Sequence, residues 1–273
     1  MENAVENVTI RNFEHDVRSI HIHEHVTSYL VVGGKKAMLV DTGWGTIDLR
    51  GIVESITSLP LVVANTHGHL DHIFGNWQFD EVLLHKEDSP MFEYDFTREK
   101  RKSALNRFGV TSPPCGLSVS EWLDAHPHGI LPLNDIKEID LGDRTIDVIE
   151  TPGHTGGSVC FLDRKGKNLF CGDSLLAGQI LLHFNTSKPL SVYRRSLEIL
   201  REKSEFYDKL FPSHKEFPLG KEFLMDVIRA VDQIIEGKVR GETKEVHGRP
   251  CRGAMFGNFE ILYREDKMGE DTL

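Results

Sequence analysis

Six consecutive residues, His67-Gly68-His69-Leu70-Asp71-His72, constrain this chain more than any other stretch. They follow Leu61-Val62-Val63-Ala64, a short apolar run that reads as a buried strand. On an extended loop leaving such a strand, alternate side chains point the same way, so His67 and His69 can reach one metal ion. Asp71 and His72 come one step further on, where a turn into helix aims them at a second ion beside the first. Two histidines can share a surface loop by coincidence, but four nitrogen and oxygen ligands in six residues point to a metal-binding segment. A binuclear site needs further ligands, and three later loops each follow an apolar strand with one candidate: Thr151-Pro152-Gly153-His154, Cys171-Gly172-Asp173 and Phe211-Pro212-Ser213-His214.

Around these segments the pattern is α/β. Tyr29 to Val32 and Ala37 to Val40 flank a Gly33-Gly34-Lys35-Lys36 turn and read as a hairpin. Leu49, Ile52, Val53 and Ile56 repeat at helical spacing, and Glu81 to His85 read as a strand. Residues of about 86–135 break the rhythm with Phe92, Tyr94, Phe96, Phe108, Trp122 and a basic run from Arg98 to Lys102, and read as a partly helical insertion. A second sheet is expected from Ile136 to Leu141, Thr145 to Glu150, Ser158 to Leu162 and Asn168 to Cys171. Helices at about Val192 to Tyr207 and Lys221 to Ile235, and strands at Lys209 to Phe211 and Asn258 to Tyr263, complete the reading. With no repeat, low-complexity tract or linker, one domain over 1–273 is the economical organisation.

Composition limits the function. The 32 Lys and Arg against 42 Asp and Glu leave a net charge of -10, which argues against binding a phosphate backbone, so no nucleic-acid partner is expected. No run approaches the roughly 18 apolar residues of a membrane span, and MENAVENVTIRNFEH has no apolar signal core, so a cytoplasmic protein without a membrane partner is expected. The four cysteines lack C-x-x-C spacing, which suits a reducing compartment. A homodimer is compatible with all of this.

The ordered set Asp41-Thr42-Gly43, H-x-H-x-D-H, His154, Asp173 and His214 resembles the metallo-β-lactamase-fold superfamily over residues of about 29–214. The resemblance implies a four-layer αββα sandwich with two divalent ions per chain at one edge. His67, His69 and His154 would hold the first ion, Asp71, His72 and His214 the second, and Asp173 would bridge them. Asp41 matches the residue that supports the site by fixing a ligating imidazole, although Asp-Thr-Gly is also ordinary turn chemistry. Imidazoles with carboxylates suit zinc first, and also manganese or iron. Two ions about 3.5–4 Å apart lower the pKa of a shared water from 15.7 toward ~7, which makes a hydroxide nucleophile. Asp71 would both ligate and orient it.

Departures from better-known members narrow the chemistry. True metallo-β-lactamases are secreted and lack the bridging Asp, which is present here as Asp173. Glyoxalase II thioesterases are similar across T-H-x-H-x-D-H, T-P-G-H-T-x-G and G-D-S/T-L, but the residues after His214 do not resemble their glutathione-binding tail. Quorum-quenching lactonases place a Tyr where this chain has Leu176, leaving Tyr193 or Tyr94 to reach the site by another route. The family's nucleases need basic exosites, and its flavin-linked diiron reductases carry Glu at the position of His69. The expected activity is hydrolysis of a small ester, lactone or thioester. The alternative is a mononuclear iron dioxygenase of a persulfide-like substrate.

Specificity is expected in the insertion, where Phe92, Tyr94, Phe96, Phe108 and Trp122 either wall the metals, with the loop Gln179 to Pro189, or fill a small core of their own. His183, in that loop, is the spare candidate for a substrate contact or proton donor. His21, His23 and His25 alternate as if along one strand without an acidic partner and read as bystanders. His85 reads as a hydrogen-bonded structural residue and Cys171 as a buried, inert thiol.

Overall fold

The computed structural model describes residues 3–5 and 7–269. Its chain forms two compact units, residues 1–146 and 147–273. In the first unit the strands are β1 (Asn3–Val5), β2 (Val8–Phe13), β3 (Val17–Ile22), β4 (Val26–Val32), β5 (Ala37–Val40), β6 (Leu61–Ala64), β7 (Val82–Leu84), β8 (Ile130–Pro132) and β9 (Glu138–Asp140). Its helices are α1 (Leu49–Ile56), the single turn α2 (Leu70–Ile73), α3 (Ser89–Asp95), α4 (Arg98–Phe108) and α5 (Val119–Asp124). Strands β1 to β8 form one sheet in sequence order. Pairing is antiparallel through β5 and parallel from β5 to β8. Each parallel step requires a crossover, and α1 makes the first of them, capped by Asp48, whose carboxylate accepts from the Gly51 N–H.

The hairpin expected around Gly33-Gly34 is β4 and β5, with Tyr29 opposite Val40 and Val32 opposite Ala37. Residues of about 86–135 are partly helical, as α3, α4 and α5, and end in β8, which pairs in parallel with β7. Helix α4 starts on the Thr97 cap and ends at Gly109, whose φ of 63° is the left-handed cap that glycine adopts without strain. Ser118 and Glu121 form a reciprocal capping box on α5.

The second unit begins inside β10 (Thr145–Glu150) and continues with β11 (Val159–Asp163), β12 (Asn168–Gly172), β13 (Gly178–Leu182), α6 (Leu190–Glu202), β14 (Lys209–Pro212), β15 (Leu219–Gly220), α7 (Glu222–Ile235), β16 (Glu242–Val246), β17 (Arg249–Phe256) and β18 (Phe259–Tyr263). One sheet runs β15-β14-β12-β11-β10 and a second β13-β18-β17-β16. Tyr193, Leu197 and Leu200 of α6, and Val227, Val231 and Ile234 of α7, are buried in one core cluster with Leu169, Leu210 and Ile261.

Three expectations need correction. The expected loop Gln179 to Pro189 begins as strand β13, which pairs in parallel with β18 and leaves only the residues after Leu182 outside the sheet. Helix α6 stops at Glu202 rather than near Tyr207, because the chain turns back and Tyr207 buries its ring while its hydroxyl donates to the Leu200 carbonyl. His21, His23 and His25 do not share a strand: His21 lies on β3, while His23, at φ 54°, and Glu24 make the turn into β4. Among the described residues no helix is long and apolar enough to cross a membrane.

Candidate metal centre

The first unit places its candidates at the carboxyl ends of parallel strands. Because Val40 of β5 pairs with Ala64 of β6, Asp41 and Thr66 leave the sheet side by side. Asp41, fully buried and at φ 60°, accepts from the Thr66 N–H at 2.7 Å, the Thr66 hydroxyl at 2.8 Å and His72 Nδ1 at 2.8 Å. An imidazole that donates through Nδ1 keeps its lone pair on Nε2, so Asp41 selects the tautomer of His72 that can ligate through Nε2. Thr66 does the same for His67, whose Nδ1 lies 3.1 Å from its hydroxyl. Thr42 and Asn65 hold the His72 carbonyl, and Gly75 packs on Thr42 where any side chain would collide with backbone.

His67 Nε2 lies 3.0 Å from His69 Nδ1. Two nitrogens that share a tetrahedral ion at bonds of ~2.0 Å sit about 3.3 Å apart, so the pair is spaced as common ligands would be. The rings of His67 and His72 are 4.0 Å apart, and His72 Nε2 is 3.8 Å from Asp71 Oδ1. The donors, imidazole nitrogens with carboxylate oxygens, suit zinc, manganese or iron and not a hard ion such as calcium.

The second unit repeats the device. Gly172 of β12 pairs with Pro212 of the parallel strand β14, after an irregularity between Phe170 and Gly172, so Asp173 and His214 emerge as neighbours. Asp173 Oδ1 lies 3.5 Å from His214 Nε2, and its Oδ2 lies 3.5 Å from His154 Nε2. His154 donates from Nδ1 to the Leu181 carbonyl at 2.7 Å, which again leaves Nε2 as the atom free to ligate. The His154 loop is clamped by Ser196, Lys188 and Ser187, which donate to the carbonyls of Pro152, Gly153 and His154 in turn.

Some candidates are placed elsewhere. Tyr193 is fully buried, and its hydroxyl donates at 2.6 Å to the carbonyl of Ser174, beside Asp173; it is a support for the ligand loop and not a substrate contact. Tyr94 is 76% exposed with Lys100 over its ring, so it walls nothing within its own unit. Phe92 and Phe96 stack at 4.3 Å and, with the fully buried Trp122, belong to the first unit's core. The buried Arg101 guanidinium lies among the rings of Phe74, Phe96 and Trp122. These aromatics fill a core, and Phe108, half-buried, packs on its edge against Trp44 and stacks on His23. His183 is buried, with Nε2 bonded to the Val246 carbonyl.

Two supports escape inspection of the sequence. Asp88 is buried and accepts from the Gly68 N–H at 2.9 Å, which holds the loop between the two histidines. His25 lies 3.9 Å from Asp71, with Arg107 on its other nitrogen, so it is no bystander. Neither carries a local signal, since each partner is remote in sequence. His85 bonds Asn134 and the Glu87 N–H, in keeping with a structural role. Cys171 is fully buried and burial pushes its thiol well up, while that of Cys160 is pushed up to about 12 for the same reason. Neither offers a thiolate nucleophile.

A family model described as the metallo-beta-lactamase superfamily matches residues 22–214. The chain is 29% identical over 200 residues to the human acyl-coenzyme A thioesterase MBLAC2, covering 68% of this chain and 71% of that one. It is 27% identical over 237 residues to a hydroxyacylglutathione hydrolase from Hahella chejuensis, covering 86% and 78%. Among solved structures it is similar to TTHA1623 in a di-iron-bound form, with a TM-score of 0.52, 23% identity and coverage of 72% and 91%.

Proposed function

Because the chain belongs to the metallo-beta-lactamase superfamily, shares its fold and is a metal-dependent hydrolase, we propose that it cleaves a small thioester with two divalent ions. In this reading His67, His69 and His154 hold one ion, Asp71, His72 and His214 hold the other, and Asp173 bridges them. The observation that carries it is the Asp173 carboxylate, with a separate imidazole Nε2 at 3.5 Å from each oxygen. A carboxylate so flanked can give one oxygen to each of two ions. Thioesters stand ahead of esters and lactones because two relatives are named as hydrolases of acyl-thiol substrates.

When bound, the ions supply positive charge for a developing oxyanion and acidify a water from 15.7 toward about 7. The residues do the rest. Asp41 and Thr66 keep the Nε2 lone pairs of His72 and His67 turned to the site. Asp71, with 18% of its side chain exposed, is open enough to orient the attacking water and hold its proton on a carboxylate oxygen. The water oxygen joins the acyl carbon, the carbon–sulfur bond breaks, and the thiol leaves with a proton.

Metal content per chain, measured by mass spectrometry on protein purified without added metal or chelator, tests this together with a screen of thioesters, esters and lactones. About two ions of zinc, manganese or iron are expected, with thioester turnover that falls by about 10²-fold or more in Asp173→Ala at unchanged circular dichroism. A single iron with oxygen uptake in place of hydrolysis would overturn the reading in favour of a dioxygenase. Full turnover after chelation would remove the metals from the mechanism.

A further inference from the structure

The second unit holds a cavity of 520 Å³ lined by residues that the ligand set does not use, among them His183, Thr243, Arg249, Arg252, Arg264 and Glu265. The size is that of a small-molecule site. Three guanidiniums face two carboxylates, Glu265 and Asp266, so the lining is net positive in a chain whose net charge is -10. The carboxylates orient two of the arginines. Arg252 donates to Glu265 at 3.1 Å and to the Thr243 hydroxyl at 2.6 Å, while Arg264 donates to Asp266 at 2.9 Å and to Asn185 at 3.0 Å. Glu265 is also held by Arg240. Arg249 is exposed and has no carboxylate partner among the described residues. Guanidinium forks at a concave surface match the oxygens of phosphate, and preoriented ones match it best.

His183 supplies the second observation. It is 1% exposed and donates through Nε2 to the Val246 carbonyl, which leaves a lone pair on Nδ1 with no hydrogen-bond partner among the described residues. Buried polar atoms normally find partners, and a ligand carrying an O–H or N–H near its phosphate would provide one. The cavity wall is also tied to the metal-ligand candidate of the same unit. Residues 181–184 place the Leu181 carbonyl on His154 Nδ1, His183 in the lining and the Phe184 ring edge-on to His154 at 6.1 Å.

We propose that this cavity holds a phosphate group carried by the thiol portion of the substrate; the assignment rests on the thioester reading above. Its test is calorimetric and needs no turnover, so it fails or succeeds separately from that reading. Metal-loaded protein is titrated with inorganic pyrophosphate and with a pair of non-hydrolysable thioether analogues that differ only in a terminal phosphate. The phosphorylated analogue is expected to bind at least about tenfold more tightly than its partner, and Arg249→Gln should weaken it by about 10- to 100-fold. Arg249 is exposed and unpaired with carboxylate, so this variant should fold; Arg252→Gln and His183→Gln, checked by circular dichroism, give independent second readings. Equal affinity in wild-type and Arg249→Gln protein would overturn the site. Pyrophosphate binding that depends on Arg249, with no gain from phosphate on the thioether, would make it a free-anion site and overturn the substrate assignment.

Discussion

Removing a single oxygen atom from the core of the second unit tests how the ligand loops are held. Tyr193 is fully buried, and its hydroxyl, which burial keeps protonated by pushing its pKa well up, donates at 2.6 Å to the Ser174 carbonyl. Its ring packs against Gly153, where an added Cβ would stand 2.4 Å from Tyr193 Cδ2. One side chain thus supports the loops that carry His154 and Asp173. Tyr193→Phe keeps the ring and the packing but takes the donor from a buried carbonyl, which costs about 1–3 kcal/mol. Because the freed carbonyl belongs to the residue after Asp173, metal affinity should also fall, by roughly 10- to 100-fold. Urea unfolding of chelator-stripped protein reads the first effect, and competition for zinc with a chromophoric chelator reads the second. Gly153→Ala should reproduce both by overpacking, at about 1–3 kcal/mol. If Tyr193→Phe changes stability by less than about 0.5 kcal/mol, within the range of ordinary surface substitutions, and leaves zinc affinity intact, the clamp does not exist.

Three other outcomes are expected. Asp41→Asn sets an amide against the His72 and Thr66 donors and should lower zinc affinity by about 10- to 100-fold while the fold survives; unchanged competition curves would show that Asp41 is only a turn residue. Burial pushes the Arg101 guanidinium down to about 9, so Arg101→Met should stay within about 1 kcal/mol of the parent or exceed it, as buried charges often do when replaced by apolar groups. Arg101→Ala, which leaves a void among three rings, should lose about 3 kcal/mol in the same urea assay, and equal losses in both would refute the argument. Arg201 and then Arg194 hold the Glu198 carboxyl down at about 2 from an ordinary 4.5. A depressed carboxylate contributes stability above its unfolded pKa and loses it as pH falls through the folded value, so Glu198→Gln should flatten the acid side of the stability curve between those limits. The effect is about 0.5 kcal/mol or less at this solvent-screened site, and an identical curve for the variant would remove it.

Much of the candidate site was legible because its chemistry is local. His67, His69, Asp71 and His72 share one loop, and Asp173 and His214 each close a strand that alternates or runs apolar, so residue type and position sufficed. The hairpin at Gly33-Gly34 and helix α1 were legible for the same reason: a turn chemistry and a 3.6-residue period are written in consecutive residues. Strands β16 and β17 were not. ETKEV is half-exposed and RPCRGAMF carries Pro and Arg, so neither shows an alternation that periodicity can find. Their His247-Gly248 turn, with both φ values positive, was the one signal available.

The sequence by itself determined the candidate ligand types, the strands they follow and the net charge, since these depend on residue identity and short-range spacing. Tertiary structure alone decided which atoms are left free to ligate and what supports them. Asp41 meets Thr66 and His72, and Asp173 meets His214, only because parallel strands end side by side. Asp88 beneath Gly68, Tyr193 beneath Ser174 and His25 beside Asp71 are partners across 20, 19 and 46 positions of chain. No local pattern encodes such pairs, because a hydrogen bond depends on distance in space and the chain sets that distance only after it has folded.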